Sequence, residues 1–137
     1  GLFIYGACGT GKTMLASIII NERANRNKAS TFICATDIFN ELNPFVNEDS
    51  RIARTKRQLI KNAPCLVIDD LGAEKTSEWT NTTLFDIINY RYNENLQTII
   101  TSNFSLDEIG HRVNGYEGER LIRRIKAICK VTELKPY

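Results

Sequence analysis

Histidine is nearly absent from this sequence. His111 stands alone, and the four cysteines, Cys8, Cys34, Cys65 and Cys129, are too far apart to form a C-x-x-C pair. No Cys/His grouping has the spacing of a zinc centre, so a structural zinc site is not expected. Three of the cysteines lie in apolar, strand-like runs, where buried free thiols are expected, and this points to a reducing cytoplasm. No apolar run approaches the roughly 18 residues of a membrane span, and there is no signal peptide, so membrane insertion is not expected. Repeats, low-complexity tracts and an internal domain boundary are all missing. Strong charge imbalance is missing too: a net charge of +2 makes the whole chain no polycation, so any nucleic-acid contact must come from local clustering. The chain starts in an apolar run without an initiating Met, and it is expected to be a piece of a longer protein. Its 137 residues, 42% apolar and 25% charged, suffice for one soluble domain with a real core, spanning 1–137.

What is present is organised around Gly6-Ala7-Cys8-Gly9-Thr10-Gly11-Lys12-Thr13, a G-x-x-x-x-G-K-[ST] loop. Glycines let successive backbone N–H groups converge on one anion. Lys12 can then reach the β- and γ-phosphates of a nucleoside triphosphate, and the Thr13 hydroxyl can ligate Mg²⁺. The apolar run Gly1 to Tyr5 precedes the loop, and Met14 to Ile20 follows with no Gly or Pro, placing Leu15, Ile18, Ile19 and Glu22 on one helical face. Strand, glycine loop, helix is the order a phosphate site requires, with the helix N-terminus adding the positive end of its dipole. The nucleotide set is therefore Gly6 to Thr13 together with Met14, and the ligand is ATP or ADP with Mg²⁺.

Further along, Thr31 to Ala35 reads as a second strand, and Thr36-Asp37 as the cap of a helix that ends at Leu42 before Asn43-Pro44. Residues 45–50 are expected to form a loop. Ser50 to Lys61 reads as a basic amphipathic helix, with Ile52, Leu59 and Ile60 inward and Arg51, Arg54, Arg57 and Lys61 outward. Pro64 to Ile68 is continuously apolar, as a strand buried on both faces should be, and it ends in Asp69-Asp70. Ser77 is placed to cap a helix to about Asn93 with Leu84, Ile87 and Ile88 inward. A fourth strand, Gln97 to Ser102, ends at Asn103. A short helix from Leu106 to Arg112, a loop from Asn114 to Gly118, a helix from Glu119 to Lys126 and an edge strand from Ile128 to Leu134 complete the chain. Five strands separated by helices predict a three-layer α/β fold with a parallel sheet and right-handed crossovers.

An apolar strand ending in a carboxylate is the usual partner of a phosphate loop. Asp69 is expected to hold Mg²⁺ or its water shell, and Asp70 to orient or deprotonate the attacking water. Asn103, ending the neighbouring strand, can hydrogen-bond a γ-phosphate oxygen or that water. Arg120, Arg123 and Arg124 share one short helix. They could present a guanidinium to the site of a neighbouring subunit, or simply be solvated surface charge.

Taken together, Gly6 to Thr13, Leu66-Val67-Ile68-Asp69-Asp70-Leu71-Gly72-Ala73-Glu74, Ile100-Thr101-Ser102-Asn103 and Gly118-Glu119-Arg120-Leu121-Ile122-Arg123-Arg124-Ile125 resemble the AAA+ ATPases. Within them the resemblance is to the DnaC/DnaI family of bacterial helicase loaders, with the IstB-like transposition helper ATPases as close kin. It covers nearly the whole chain. The resemblance implies Lys12 and Thr13 as the Walker A pair, Asp69 and Asp70 as the Walker B acids, and Asn103 as sensor 1. It implies an arginine finger in Gly118 to Ile125, with Arg124 fitting best and Arg120 next, and the sheet order 5-1-4-3-2. It further implies an ATP-dependent homo-oligomer that loads the replicative helicase onto single-stranded DNA, the helicase being bound through an N-terminal region not in this sequence. Neither a lid subdomain nor its sensor 2 arginine is visible. Asp-Asp, where many AAA+ proteins carry Asp-Glu, holds its second carboxylate about one methylene further from the water and predicts slow hydrolysis.

Arg51, Arg54, Lys56, Arg57 and Lys61 give five positive charges in eleven residues, enough for several phosphate contacts, although a solvated helix face explains them equally well. Phe39, Phe45 and Tyr116 are candidates for base stacking, with core packing favoured for Phe39, and Trp79 is expected to pack. Three other readings remain open: a transposition helper of the IstB kind, a P-loop kinase acting on a small acceptor, and a binding module in which ATP is purely structural.

Overall fold

A computed structural model describes residues 1–43, 50–113 and 115–136. Its elements run β1 (Leu2–Tyr5), α1 (Lys12–Asn25), β2 (Thr31–Cys34), α2 (Ala35–Leu42), α3 (Ser50–Asn62), β3 (Cys65–Leu71), α4 (Glu78–Asn93), β4 (Gln97–Ser102), α5 (Leu106–Val113), α6 (Gly115–Ile128) and β5 (Lys130–Glu133). All four strand pairings are parallel, in the order β2-β3-β4-β1-β5, which is the expected 5-1-4-3-2 read from the other edge.

The pleat sends alternate residues to opposite faces of the sheet, and each face has its own cluster. Ile4, Cys65, Val67 and Ile99 pack under α1 through Ala16, with Leu15, Ile19 and Ile20 partly buried at the margin. Phe3, Ile68 and Ile100 face the larger cluster, roofed by Ile38 and Phe39 of α2, Ile60 of α3, Leu84, Ile87 and Ile88 of α4, Leu106 and Ile109 of α5, and Leu121 and Ile125 of α6. Each such side chain taken fully out of water contributes about 1.5–3 kcal/mol. The sheet is thus fixed as a rigid platform whose strand ends carry the polar residues. Trp79 packs edge-on against Phe39, ring centroids 6.2 Å apart, so both aromatics are structural.

Several expectations change in detail. Ile18 is 54% exposed, outside the buried face of α1. α2 starts at Ala35 directly from the strand, with no side-chain cap from Thr36 or Asp37. Among the described side chains of α3 only Ile60 is buried; Ile52 and Leu59 are 50% and 66% exposed, because the helix touches its neighbours along a narrower stripe than its apolar pattern suggests. Gly115 to Gly118, expected as loop, form the first turn of α6. Gly118 is buried there against the Gly110 carbonyl, 2.3 Å from where its Cβ would stand, so this glycine, which looks like loop punctuation, lets α5 and α6 approach closely. Ile128 closes α6 and does not open β5. The loop expected at 45–50 and Phe45 lie outside the described residues, apart from Ser50, which starts α3.

Ser77 caps α4 as expected: its hydroxyl accepts the Thr80 N–H at 3.1 Å, and Thr80 Oγ1 accepts the Ser77 N–H at 2.8 Å. α5 carries a second reciprocal cap, Ser105 with Glu108, and these hydrogen bonds lower the Glu108 carboxyl below its ordinary range.

Candidate nucleotide site

The turn from β1 to α1 needs glycine at two positions for different reasons. At Gly6 (φ 149°) a Cβ would stand 2.2 Å from the Leu134 carbonyl oxygen beside β5. Gly11 (φ 88°) is the residue from which α1 starts. α1 has no side-chain cap and no acidic residue in its first turn, so its leading N–H groups are not claimed by a capping side chain. Lys12 is 7% exposed, and its Nζ donates to the carbonyls of Gly6 at 2.9 Å and Ala7 at 2.8 Å. The Ala7 carbonyl also accepts the Thr10 hydroxyl at 3.0 Å. The loop is therefore closed on its own lysine.

Across from it, the β3–β4 register shifts between Ile68 and Leu71: Ile68 pairs with Ile100 and Leu71 with Ser102, so Asp69 and Asp70 together oppose Thr101. This is a β-bulge, and it re-aims both carboxylates. Asp70 takes the left-handed conformation at φ 56°, uncommon for a residue other than glycine. Asp69 follows Val67 on the α1 face and meets Thr13, whose Oγ1 donates to its carboxylate oxygens at 3.0 and 3.2 Å. Asn103 Nδ2 donates to Asp70 Oδ1 at 3.0 Å.

Cys8, Gly9, Gly11, Lys12, Thr13, Met14, Asp69, Asp70, Thr101 and Asn103 line one open cavity of about 360 Å³. The structure thus brings together most of the residues expected from the sequence; Gly6, Ala7 and Thr10 do not line the cavity, and the first two accept Lys12 through their carbonyls. The donor set fits Mg²⁺, a hard cation that takes oxygen ligands, through the Thr13 hydroxyl and the Asp69 carboxylate, which meet at one point. Among the described residues there is no cluster of three or more His, Cys, Asp or Glu able to hold a metal alone.

None of Arg120, Arg123 and Arg124 lines this cavity. Arg120 stacks on Phe85 at 4.5 Å and near Tyr116 at 5.7 Å. Arg124 lies over Tyr92 at 4.2 Å and its Nε donates to Asn89 at 3.0 Å. Arg123 projects from the exposed side of α6. On α3, Lys56 pairs with Glu41 at 3.4 Å, and Arg57 and Lys61 pair with Asp86 at 3.4 and 3.1 Å. Lys56, Arg57 and Lys61 are therefore engaged within the domain.

Two participants escape the sequence reading. Thr101, 1% exposed, bridges the bulge. Its Oγ1 accepts the Asp70 N–H at 2.9 Å and donates to Asp69 Oδ1 at 2.6 Å. A threonine two residues before Asn103, on the strand beside the one that ends in the aspartate pair, was the available signal. Arg112 of α5 donates to the Gly72 carbonyl at 3.0 Å and stacks on Phe104 at 4.3 Å, tying the segment after the aspartates to the one after Asn103. No signal beyond its charge marked it.

Sheet order, phosphate loop and paired aspartates define a nucleotide-binding domain of the AAA+ P-loop class. The family model described as "IstB-like ATP binding protein" matches residues 1–135, and the chain belongs to that family. It is 31% identical over 112 residues to the replicative helicase loader DnaI of Bacillus subtilis (strain 168), covering 81% of this chain and 35% of DnaI. The chain thus spans about a third of the length of that curated relative. A crystal structure of DnaI superposes with TM-score 0.85 at 33% identity, over all of this chain and 71% of that one. The DnaC helicase loader superposes at 0.82 with 31% identity, over 98% of this chain and 78% of that one. The replication initiator DnaA, bound to AMPPCP and single-stranded DNA, superposes at 0.79 with 25% identity, over 99% and 40%.

Proposed function

We propose that this domain is the ATP-dependent switch of a helicase-loading protein, binding Mg·ATP in the cavity between Lys12 and Asp69 and hydrolysing it slowly. The observation that carries the reading is the convergence of Thr13, Asp69, Asp70 and Asn103 on one cavity opposite an uncapped helix N-terminus. The match to DnaI and DnaC supports the cellular role.

In this reading Lys12 leaves the Gly6 and Ala7 carbonyls for the β- and γ-phosphates, while the loop N–H groups wrap the chain of phosphates. Thr13 and Asp69 would hold Mg²⁺, which when bound offsets charge on the β- and γ-oxygens. Asp70 accepts a proton from the attacking water. Its Oδ1 is already fixed by Asn103, which leaves Oδ2 to face the nucleophile. An α6 guanidinium from a neighbouring copy completes the site, with Arg124 and Arg120 released from their aromatic partners or Arg123 already projecting. Single Arg→Ala variants of the three distinguish them: the finger lowers ATP turnover while leaving ADP binding intact.

Single-stranded DNA is the proposed second ligand, in line with the DNA-bound DnaA neighbour. Arg54 is the first α3 residue to test, since Lys56, Arg57 and Lys61 pair with Glu41 and Asp86. The replicative helicase is the proposed protein partner, bound through sequence outside this chain, in the cytoplasm. Among the described residues no helix is long and apolar enough to cross a membrane. A pull-down of the full-length protein against replicative helicase and transposase tests the role. ATP-dependent capture of helicase is expected, and capture of transposase alone assigns it to the transposition helpers. Release of phosphate with no acceptor present separates this reading from a small-molecule kinase.

A further inference from the structure

We propose that Thr101 is the positioning residue that sets the Mg²⁺ affinity of this site, by holding the Asp69 carboxylate and the left-handed Asp70 backbone in register through one hydroxyl. The inference rests on the nucleotide-site reading above and assigns a task to a residue that the reading does not use.

The geometry leaves the hydroxyl little freedom. Its oxygen accepts the Asp70 N–H at 2.9 Å, and its own O–H donates to Asp69 Oδ1 at 2.6 Å. Bonds from a hydroxyl to a carboxylate are short and strong when charge-assisted. The same Oδ1 lies 3.0 Å from the Thr13 hydroxyl, so three side chains from β3, β4 and α1 share one oxygen. The extra residue of the bulge would otherwise be free to swing, because a bulge leaves one residue without its ladder partner. Thr101 supplies the missing acceptor to the Asp70 N–H. Next door, Ser102 repeats the device: its hydroxyl donates to the Leu71 carbonyl at 2.6 Å and accepts the Phe104 N–H at 3.0 Å. Ser102 ties the far side of the bulge and reaches neither carboxylate, so the two hydroxyls separate metal positioning from strand closure.

Groups that orient a metal ligand without touching the metal typically change affinity about 10- to 100-fold when lost. The test is titration of fluorescent ADP into the folded chain, with Mg²⁺ and in EDTA, for wild type, Thr101→Val and Thr101→Ser, each with its melting temperature. Thr101→Val is expected to lower the apparent Mg²⁺ affinity about tenfold while leaving metal-free ADP binding within about twofold. Thr101→Ser, which keeps the hydroxyl, is expected to behave as wild type. Should Thr101→Val melt below the working temperature, Thr101→Ala against Thr101→Ser reads the same contrast. Equal weakening with and without Mg²⁺, or Mg²⁺ affinity unchanged in the variants without the hydroxyl, overturns the proposal. If wild type takes up no ADP under either condition, the nucleotide reading itself fails.

Discussion

Lys12 and Arg91 are both buried cations, and the contrast between them separates the end of the domain that carries the candidate nucleotide site from the end that holds the fold. Arg91 is fully buried near the start of β4. It donates to the carbonyls of Ile60, Lys61 and Ala63 at the end of α3, to the Gln97 carbonyl and to the Thr98 hydroxyl, at 2.7–3.2 Å. The Ile60 and Lys61 carbonyls are among the orphan acceptors that any helix end leaves, so one guanidinium caps α3 and pins it to α4 and β4. Burial lowers its pKa to about 10, still charged at neutral pH. Lys12, at the opposite end of the sheet, has only the two carbonyls of its own loop. The first arrangement is complete without any ligand; in the second, the lysine's partners belong to the loop that is read as closing on phosphate.

If that contrast is right, Arg91→Met should produce the largest loss of stability. The change strands several buried acceptors at once and is expected to cost about 3–5 kcal/mol, read as a melting temperature lower by roughly 10–20 °C. Near-wild-type stability would show that the α3 end finds other partners. The next largest effect should come from Asp70, at the other end. Asp70→Asn is expected to lower ATP turnover about 100-fold with ADP binding retained, since a general base contributes roughly 10²–10⁴-fold. Asp70→Glu, whose carboxylate reaches further, should raise turnover; an unchanged or lower rate would remove the explanation offered for slow hydrolysis. The smallest effect belongs to the half-exposed Asp86, which pairs with Arg57 and Lys61. Asp86→Asn should cost under about 1 kcal/mol in chemical denaturation, and should strengthen salt-sensitive DNA binding if α3 contacts phosphates.

Sequence patterning picked out the residues that line the cavity better than those that hold the opposite end of the sheet, for a physical reason. A phosphate loop is encoded by consecutive residues whose spacing is its geometry, and Asp69-Asp70 announce themselves by ending an apolar strand. Arg91 carries no such mark: on sequence it is one more arginine in the last turn of a helix, and only the third dimension brings the α3 carbonyls to it. Thr101 is similar, since a β-branched residue in a strand looks ordinary until the bulge sets it opposite two carboxylates. Ile52 and Leu59 mislead in the other direction, because an amphipathic stripe shows which face could be buried, and neighbouring helices decide how much of it is. Gly115 and Gly118 read as loop residues, yet close packing of α5 on α6 recruits Gly118 into a helix.

The most direct test of the central claim is calorimetric titration of Mg·ADP into the wild-type chain and into Lys12→Met, with melting curves of both. One bound nucleotide per wild-type chain is predicted, with binding about 100-fold weaker or lost in Lys12→Met and a melting temperature within a few degrees of wild type. Uptake by Lys12→Met as tight as by wild type, or no heat from a folded wild-type chain, would contradict it.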